Sequence, residues 1–301
     1  MSSSTQSTYD QCILVSGVTG ALGRILLPLL AGKEFSNYQF IFMVRRTLPF
    51  IIEYPSDRFI FSLSDAASSI SWMNHIQTYS PNRVVILSNI RHFSSFRSAL
   101  NVLSLDSIPL LLIGTTGVYS RFDNYSSPYS IIENELASYP RNDLLLLRPS
   151  LIFGTTDDKN FSSVVRFILK YRFFFVIGSG NNMIQPICYQ DLAELISNCL
   201  LRPSLYGCFD VTGSHCLSSI DFVRQLFLCT KVKPFIIKIP LTLALVVAFI
   251  SEKFFHSSQF SVERVLRQTE DKCFDHYHAS KVLNFHPRNL LQILPEYCAL
   301  F

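Results

Sequence analysis

The residues with the clearest chemical purpose lie near the start of the chain. There Ile13-Leu-Val-Ser-Gly17-Val-Thr19-Gly20-Ala21-Leu22-Gly23-Arg24 runs from an apolar strand through a three-glycine turn into an apolar helix. At this spacing Gly17 makes a tight turn, Gly20 lets backbone N–H groups approach a pyrophosphate, and Gly23 lets the helix pack close, its N-terminus facing the anion. A merely structural turn is the competing reading. The strand–turn–helix context favours dinucleotide binding, with Gly17, Thr19, Gly20, Ala21, Leu22 and Gly23 as contacts. Further on, the second strand ends in Val44-Arg45-Arg46. A carboxylate there would bind the ribose hydroxyls of NAD, whereas arginine forks suit a 2′-phosphate. Arg45 and Arg46 therefore favour NADP(H), with NAD possible; the alternative is a pair of solvated loop charges.

These residues need a sheet to hold them. Short apolar runs without polar alternation predict strands at Cys12–Ser16, Phe40–Val44, Phe59–Phe61, Val84–Leu87, Leu110–Ile113 and Leu144–Leu147, as expected of strands covered on both faces. Helical stretches between them, at Ala21–Leu30, Ala66–Thr78, Phe93–Leu103 and Ile131–Ala137, complete a βαβ rhythm. The predicted fold class is α/β: a Rossmann-type doubly wound parallel sheet with a smaller, mainly helical C-terminal substrate lobe. The dinucleotide-binding domain is expected over residues 10–165, its sheet completed by 185–213, and the substrate lobe over 166–184 and 214–301.

Composition narrows the function. At 49% hydrophobic and 16% charged over 301 residues the chain must collapse, which excludes a disordered protein. A net charge of +4 with scattered Lys and Arg offers no basic stripe for nucleic acid. Leu241–Ile250 is too short to span a bilayer and apolar all round, which predicts a helix buried against another helix or in a homodimer. A peripheral membrane contact through 241–255, including Phe254 and Phe255, is the alternative. The first ten residues lack the positive start and apolar core of a secretory signal, so a cytoplasmic location is expected. Eight cysteines without a Cys-x-x-Cys pair read as scattered thiols of a reducing compartment, and Cys273, His276 and His278 are too few for a metal site.

Three later segments join the glycine turn in a resemblance. Ile113-Gly-Thr115-Thr116-Gly-Val-Tyr119, Leu147-Arg148-Pro149-Ser-Leu-Ile-Phe-Gly154 and Gln185-Pro-Ile-Cys-Tyr-Gln-Asp191-Leu-Ala193 are similar to motifs of the extended and atypical short-chain dehydrogenases/reductases, the NAD-dependent epimerase/dehydratase branch in particular. The tail, Ala279 to Arg288, resembles the close of bacterial nucleotide-sugar members. The resemblance covers about residues 11–295 and implies hydride chemistry on a nucleotide-sugar: a Ser or Thr positions the substrate oxygen, a Tyr is the acid/base, and a Lys four residues on supports the Tyr. By position Thr115 takes the first role, with turn capping as its alternative, and Arg148 and Gln185 fall on the substrate side.

The acid/base pair departs from that pattern. No lysine lies between Lys33 and Lys159, so Tyr125 and Tyr129 are both candidates for the acid and neither has its lysine; four residues after Tyr129 stands Glu133. Arg121 or the oxidised nicotinamide could supply the missing positive charge. Two functions follow: an NADP(H)-dependent epimerase, reductase or dehydratase of glycan precursor synthesis, or a non-catalytic NAD(P)-binding scaffold or redox sensor.

Overall fold

A computed structural model describes residues 9–46, 54, 57–158, 161–255 and 261–301. In chain order the elements of the first part are β1 (Gln11–Ser16), α1 (Ala21–Leu30), β2 (Tyr38–Val44), β3 (Phe59–Leu63), α2 (Ser69–Tyr79), β4 (Arg83–Ile86), α3 (His92–Val102), β5 (Leu110–Ile113), α4 (Asp123–Leu136) and β6 (Leu144–Pro149). Then come β7 (Ile152–Phe153), α5 (Ser162–Tyr171), β8 (Phe174–Ile177), β9 (Met183–Ile184), β10 (Ile187–Cys188), α6 (Tyr189–Leu200) and β11 (Gly207–Val211). The remainder is β12 (Leu217–Ser218), α7 (Ser219–Cys229), β13 (Ile236–Ile239), α8 (Leu241–Phe255), α9 (Val262–Arg267), α10 (Tyr277–Leu283) and α11 (Leu290–Cys298).

Seven strands form one parallel sheet in the order β11-β6-β5-β4-β1-β2-β3, the Rossmann-type arrangement expected from the sequence. Strand order reverses between β1 and β4, so the crevice for a ligand opens at the carboxyl ends of those two strands. The central strands are buried end to end, β4 and β5 completely. Phe40 and Phe42 on β2 stack with Phe59 and Phe61 on β3 at centroid distances of 4.8–5.7 Å. Truncating fully buried Phe42 to alanine would cost about 3–5 kcal/mol.

The chain divides into two compact units, one of residues 1–115, 128–148 and 192–209, the other of 116–127, 149–191 and 210–301. The first carries most of the sheet and a core around Trp72, Phe93 and Phe96. The second has its own core, in which Phe153, Phe222, Phe227 and Leu294 meet. Residues 116–127 and 149–165, expected in the first domain, group with the second unit.

Three local expectations need correction. Helix α2 begins at Ser69 rather than Ala66, because the Asp65 carboxylate accepts from Ala67 N–H in a turn and Ser68 Oγ caps the helix. Helix α4 begins at Asp123, well before Ile131, through a Ser-rich stretch with no apolar periodicity to announce it. Helix α8 is not buried all round: only Ala244 and Ala248 are, while Leu243, Val246, Val247, Phe249 and Ile250 are 45–56% exposed. Ala244 and Ala248, with Leu241 and Leu245 beside them, face the neighbouring elements, and the five exposed residues face outward. The side chains of Phe254 and Phe255 lie outside the described residues. Among the described residues no helix is long and apolar enough to cross a membrane.

Cys216 and Cys273 form a disulfide that links β12's approach to the segment before α10, across 57 residues of sequence with a Cα separation of 5.9 Å. The reading of all eight cysteines as thiols is therefore corrected; only the fold could bring these two together. Among the described residues no group of three or more His, Cys, Asp or Glu is placed to hold a metal.

Candidate functional site

In the first unit the glycines sit where their types require. Gly17 ends β1 with φ +88°, and a Cβ there would stand 2.5 Å from the Ser88 backbone nitrogen. Only glycine lets the loop after β1 lie against the loop after β4. A Cβ on Gly23 would meet the Val18 backbone at 2.3 Å, so this glycine lets α1 close onto the turn itself. Gly20 is the N-cap of α1; no side chain caps the helix and its first turn holds no carboxylate. The helix N-terminus, with its donors and positive dipole end, thus fits a dinucleotide pyrophosphate.

The register of the sheet collects the other candidates along the same edge. Ser16 pairs with Met43, so Arg45 and Arg46, both exposed, leave β2 beside the glycine turn. Thr115 follows β5 at the same edge, after Gly114 N–H donates to the Leu147 carbonyl at 2.8 Å. Tyr129, half-buried, packs against the core of this unit.

Sequence reasoning missed a polar chain at this edge. Ser88 Oγ shares hydrogen bonds with Ser16 Oγ at 2.9 Å and His92 Nδ1 at 2.7 Å. Burial holds the His92 pKa below the ordinary histidine value, favouring neutral imidazole. The signal was available: Ser88 to His92 follow the strand at which the sheet order reverses.

Two further contacts concern residues with expected roles. Glu133, at the position where the resembled pattern has lysine, is held by Arg148 through two bonds of 2.7 Å, Nε to Oε1 and Nη2 to Oε2, both side chains being 15% exposed. Arg148 is thus committed to an ion pair within the first unit. In the second unit Gln185 is buried, its Nε2 donating to the Gly213 carbonyl at 2.8 Å and its Oε1 accepting from Phe274 N–H at 3.0 Å. Its amide ties three segments of backbone together.

The second unit also encloses a cavity of about 710 Å³, lined by Tyr125, Phe174, Phe222, Arg264, Arg267 and Lys272 among others. Tyr125 fits because Gly117 has no Cβ, which would stand 2.8 Å from the phenol. The Arg267 guanidinium lies over the Tyr125 ring, 3.0 Å from its centroid, and Arg267 Nε is buried without a partner among the described residues. Lys272 Nζ donates to the Arg267 carbonyl at 2.7 Å, and burial, then the Arg267 charge, lowers its pKa. Arg121, one of the two alternatives for the missing positive charge, faces Glu270, which accepts from Arg121 N–H and Ser120 Oγ at about 3 Å. The cations of this cavity were visible in the run Arg264 to Lys272, but nothing local tied that run to Tyr125.

Two motifs of the resemblance meet at the far end of this unit. Asp191, nearly buried, receives Arg288 Nε at 2.5 Å and Arg288 N–H at 3.2 Å. The Asp-Leu-Ala segment and the Pro-Arg tail therefore form one structural clasp.

No protein-family model and no curated protein matches the chain in sequence. Solved structures do match in fold. A dTDP-glucose 4,6-dehydratase of Bacillus anthracis, solved in complex with NAD, superposes with a TM-score of 0.71 at 14% identity over 96% of each chain. A UDP-glucuronic acid 4-epimerase of Bacillus cereus, solved with UDP-glucuronic acid and NAD, gives 0.69 at 17% identity, covering 96% of this chain and 99% of that one. A UDP-glucose 4-epimerase of Thermotoga maritima with UDP-glucose gives 0.68 at 12% identity, covering 96% and 98%. The fold is thus the Rossmann-type α/β fold seen in those nucleotide-sugar enzymes over nearly their whole length.

Proposed function

We propose that the chain is a nicotinamide-dinucleotide-dependent enzyme acting on a nucleotide-sugar, as an epimerase, reductase or dehydratase. The single observation that carries this is the second-unit cavity, where the Tyr125 phenol and three cations, Arg264, Arg267 and Lys272, line one space with a single carboxylate, Glu263. Arg267's orphaned donor and the half-buried Lys272 suit a diphosphate, and Phe174 and Phe222 give apolar wall. The dinucleotide bound at Gly17, Thr19, Gly20, Ala21, Leu22 and Gly23 supplies hydride chemistry. Arg45 and Arg46 favour NADP(H) over NAD.

Tyr125 is the acid/base in this reading. A cation against a phenol favours the phenolate, so Arg267 does the electrostatic work that the resembled pattern gives to lysine. Thr115 orients the substrate oxygen. The fold of the dehydratase and epimerases above supports the substrate class.

A second reading, a dinucleotide-binding scaffold without turnover, is favoured by one observation: four residues after Tyr129 stands Glu133 instead of lysine, and Arg148 holds that carboxylate in place. The deciding experiment titrates NADPH and NADH and then screens UDP-, GDP- and dTDP-sugars with the native protein, Tyr125→Phe and Tyr129→Phe. Turnover abolished by Tyr125→Phe supports the first reading. Cofactor binding with no turnover on any sugar supports the second.

A further inference from the structure

The second unit carries an apolar and cationic surface that extends outward from the cavity wall at Phe175 and Ile177. Parallel strands β8 and β13 pair Phe175 with Ile237 and Ile177 with Ile239. Alternation along a strand puts these four on one face of the ribbon. At one end of that face Ile177 and Ile239 are covered by α8 through Ala244 and Ala248. At the other end Phe175, Phe235 and Ile237 are exposed, and Phe173 and Phe175 make an edge contact at 5.1 Å.

Helix α8 extends this surface. Leu243, Val246, Val247 and Ile250 fall at i, i+3, i+4 and i+7, a single stripe on the side away from Ala244 and Ala248. A helix with small residues packed inward and four large aliphatic residues presented outward is built to put that stripe into something apolar.

Charge identifies what. The segments 170–176 and 231–253 contain five exposed cations, Lys170, Arg172, Lys231, Lys233 and Lys253, besides Lys238, which alternation puts on the opposite face of β13, against one carboxylate, Glu252. Glu252 is itself engaged, its Oε1 accepting from Val262 N–H at 3.0 Å to cap α9. A second copy seated on the same patch in a two-fold contact would set these cations against themselves. An anionic lipid surface accepts both the stripe and the cations, with phosphates at the lysines and acyl chains at α8.

We propose that this face, α8 with the exposed ends of β8 and β13, docks the protein peripherally on an anionic membrane surface. The helix lies in the interface and does not span it. The test is co-sedimentation of the full chain with phosphatidylcholine vesicles, with and without roughly 30 mole per cent phosphatidylserine. Binding is expected to the phosphatidylserine vesicles and to fall roughly tenfold or more on plain phosphatidylcholine or on raising salt. The pairs Val246→Glu/Ile250→Glu and Lys231→Glu/Lys233→Glu should each weaken it by a similar factor while melting like the native protein, since all four positions are exposed. No sedimentation with phosphatidylserine overturns the proposal, as does binding that neither pair weakens. A dimer dissolved by Val246→Glu/Ile250→Glu, with no vesicle binding, overturns it in favour of a second copy.

Discussion

The guanidinium of Arg267 stands over the ring of Tyr125, 3.0 Å from its centroid, although 142 residues of sequence separate them. In the proposed function this charge supports Tyr125 as the acid/base. Replacing Arg267 with Gln should move the tyrosine-dependent limb of the pH–rate profile to higher pH and lower turnover at neutral pH roughly ten- to hundredfold. Arg267→Lys should keep most of the limb's position. A profile that stays put in Arg267→Gln restricts this arginine to substrate binding.

Glu133 and Arg148 should resist any simple restoration of lysine. Glu133→Gln removes the carboxylate that takes two bonds from the largely buried Arg148 and should cost about 2–3 kcal/mol. Glu133→Lys should cost more, because it sets two cations together. Chemical denaturation of the two variants checks the order.

The glycines should separate by what each would strike. Gly17→Ala and Gly23→Ala drive a Cβ into backbone at 2.5 and 2.3 Å and should destabilise by about 1–3 kcal/mol as well as lose cofactor. Gly20→Ala meets nothing nearer than the Gly17 carbonyl oxygen at 3.3 Å. It should melt close to the native protein yet bind NADPH roughly tenfold more weakly. Melting curves with and without NADPH distinguish the two behaviours.

Stability should fall on mild acidification. Burial lowers the pKa of both His92 and His276, so the folded protein takes up protons at lower pH than the unfolded chain, whose histidines titrate at about 6.5. Between the folded and unfolded pKa values the unfolded state binds more protons. Stability is therefore flat above about 6.5 and declines below it. The melting temperature should drop from pH 7.5 to 5.5 more in the native protein than in His92→Asn/His276→Asn.

Thiol titration in denaturant should count six free cysteines before reduction and eight after, since Cys216 and Cys273 are joined and the other six are not. Closing that loop contributes about 4 kcal/mol in a chain-entropy treatment, so reductant should lower the melting temperature.

What was legible in the sequence was local. The helix Ala21–Leu30 and the strand Leu110–Ile113 follow from apolar runs and their punctuation alone, and both agree with the structure. The glycine turn was readable because its conformation, close approach and helix start are all imposed within seven residues. Helix α8 misled because continuous apolar composition cannot say which side is packed; the packed side is the one that carries Ala244 and Ala248, with Leu241 and Leu245 beside them. Arg267 beside Tyr125, Cys216 beside Cys273, and the use of Gln185 to hold residues 213 and 274 depend on contacts far apart in sequence. No pattern within a window of a dozen residues contains them.

Each of the two units is assembled from three separate stretches of chain. Neither can finish folding while the polypeptide is still half made. The apolar edge of β6, Leu144-Leu-Leu-Leu147, has no outer neighbour until β11 is synthesised and pairs with it. An unpaired, hydrophobic strand edge is a template for association with other chains. Fragments that stop between β6 and β11 should therefore aggregate, and the first unit cannot be cut out as a single continuous piece.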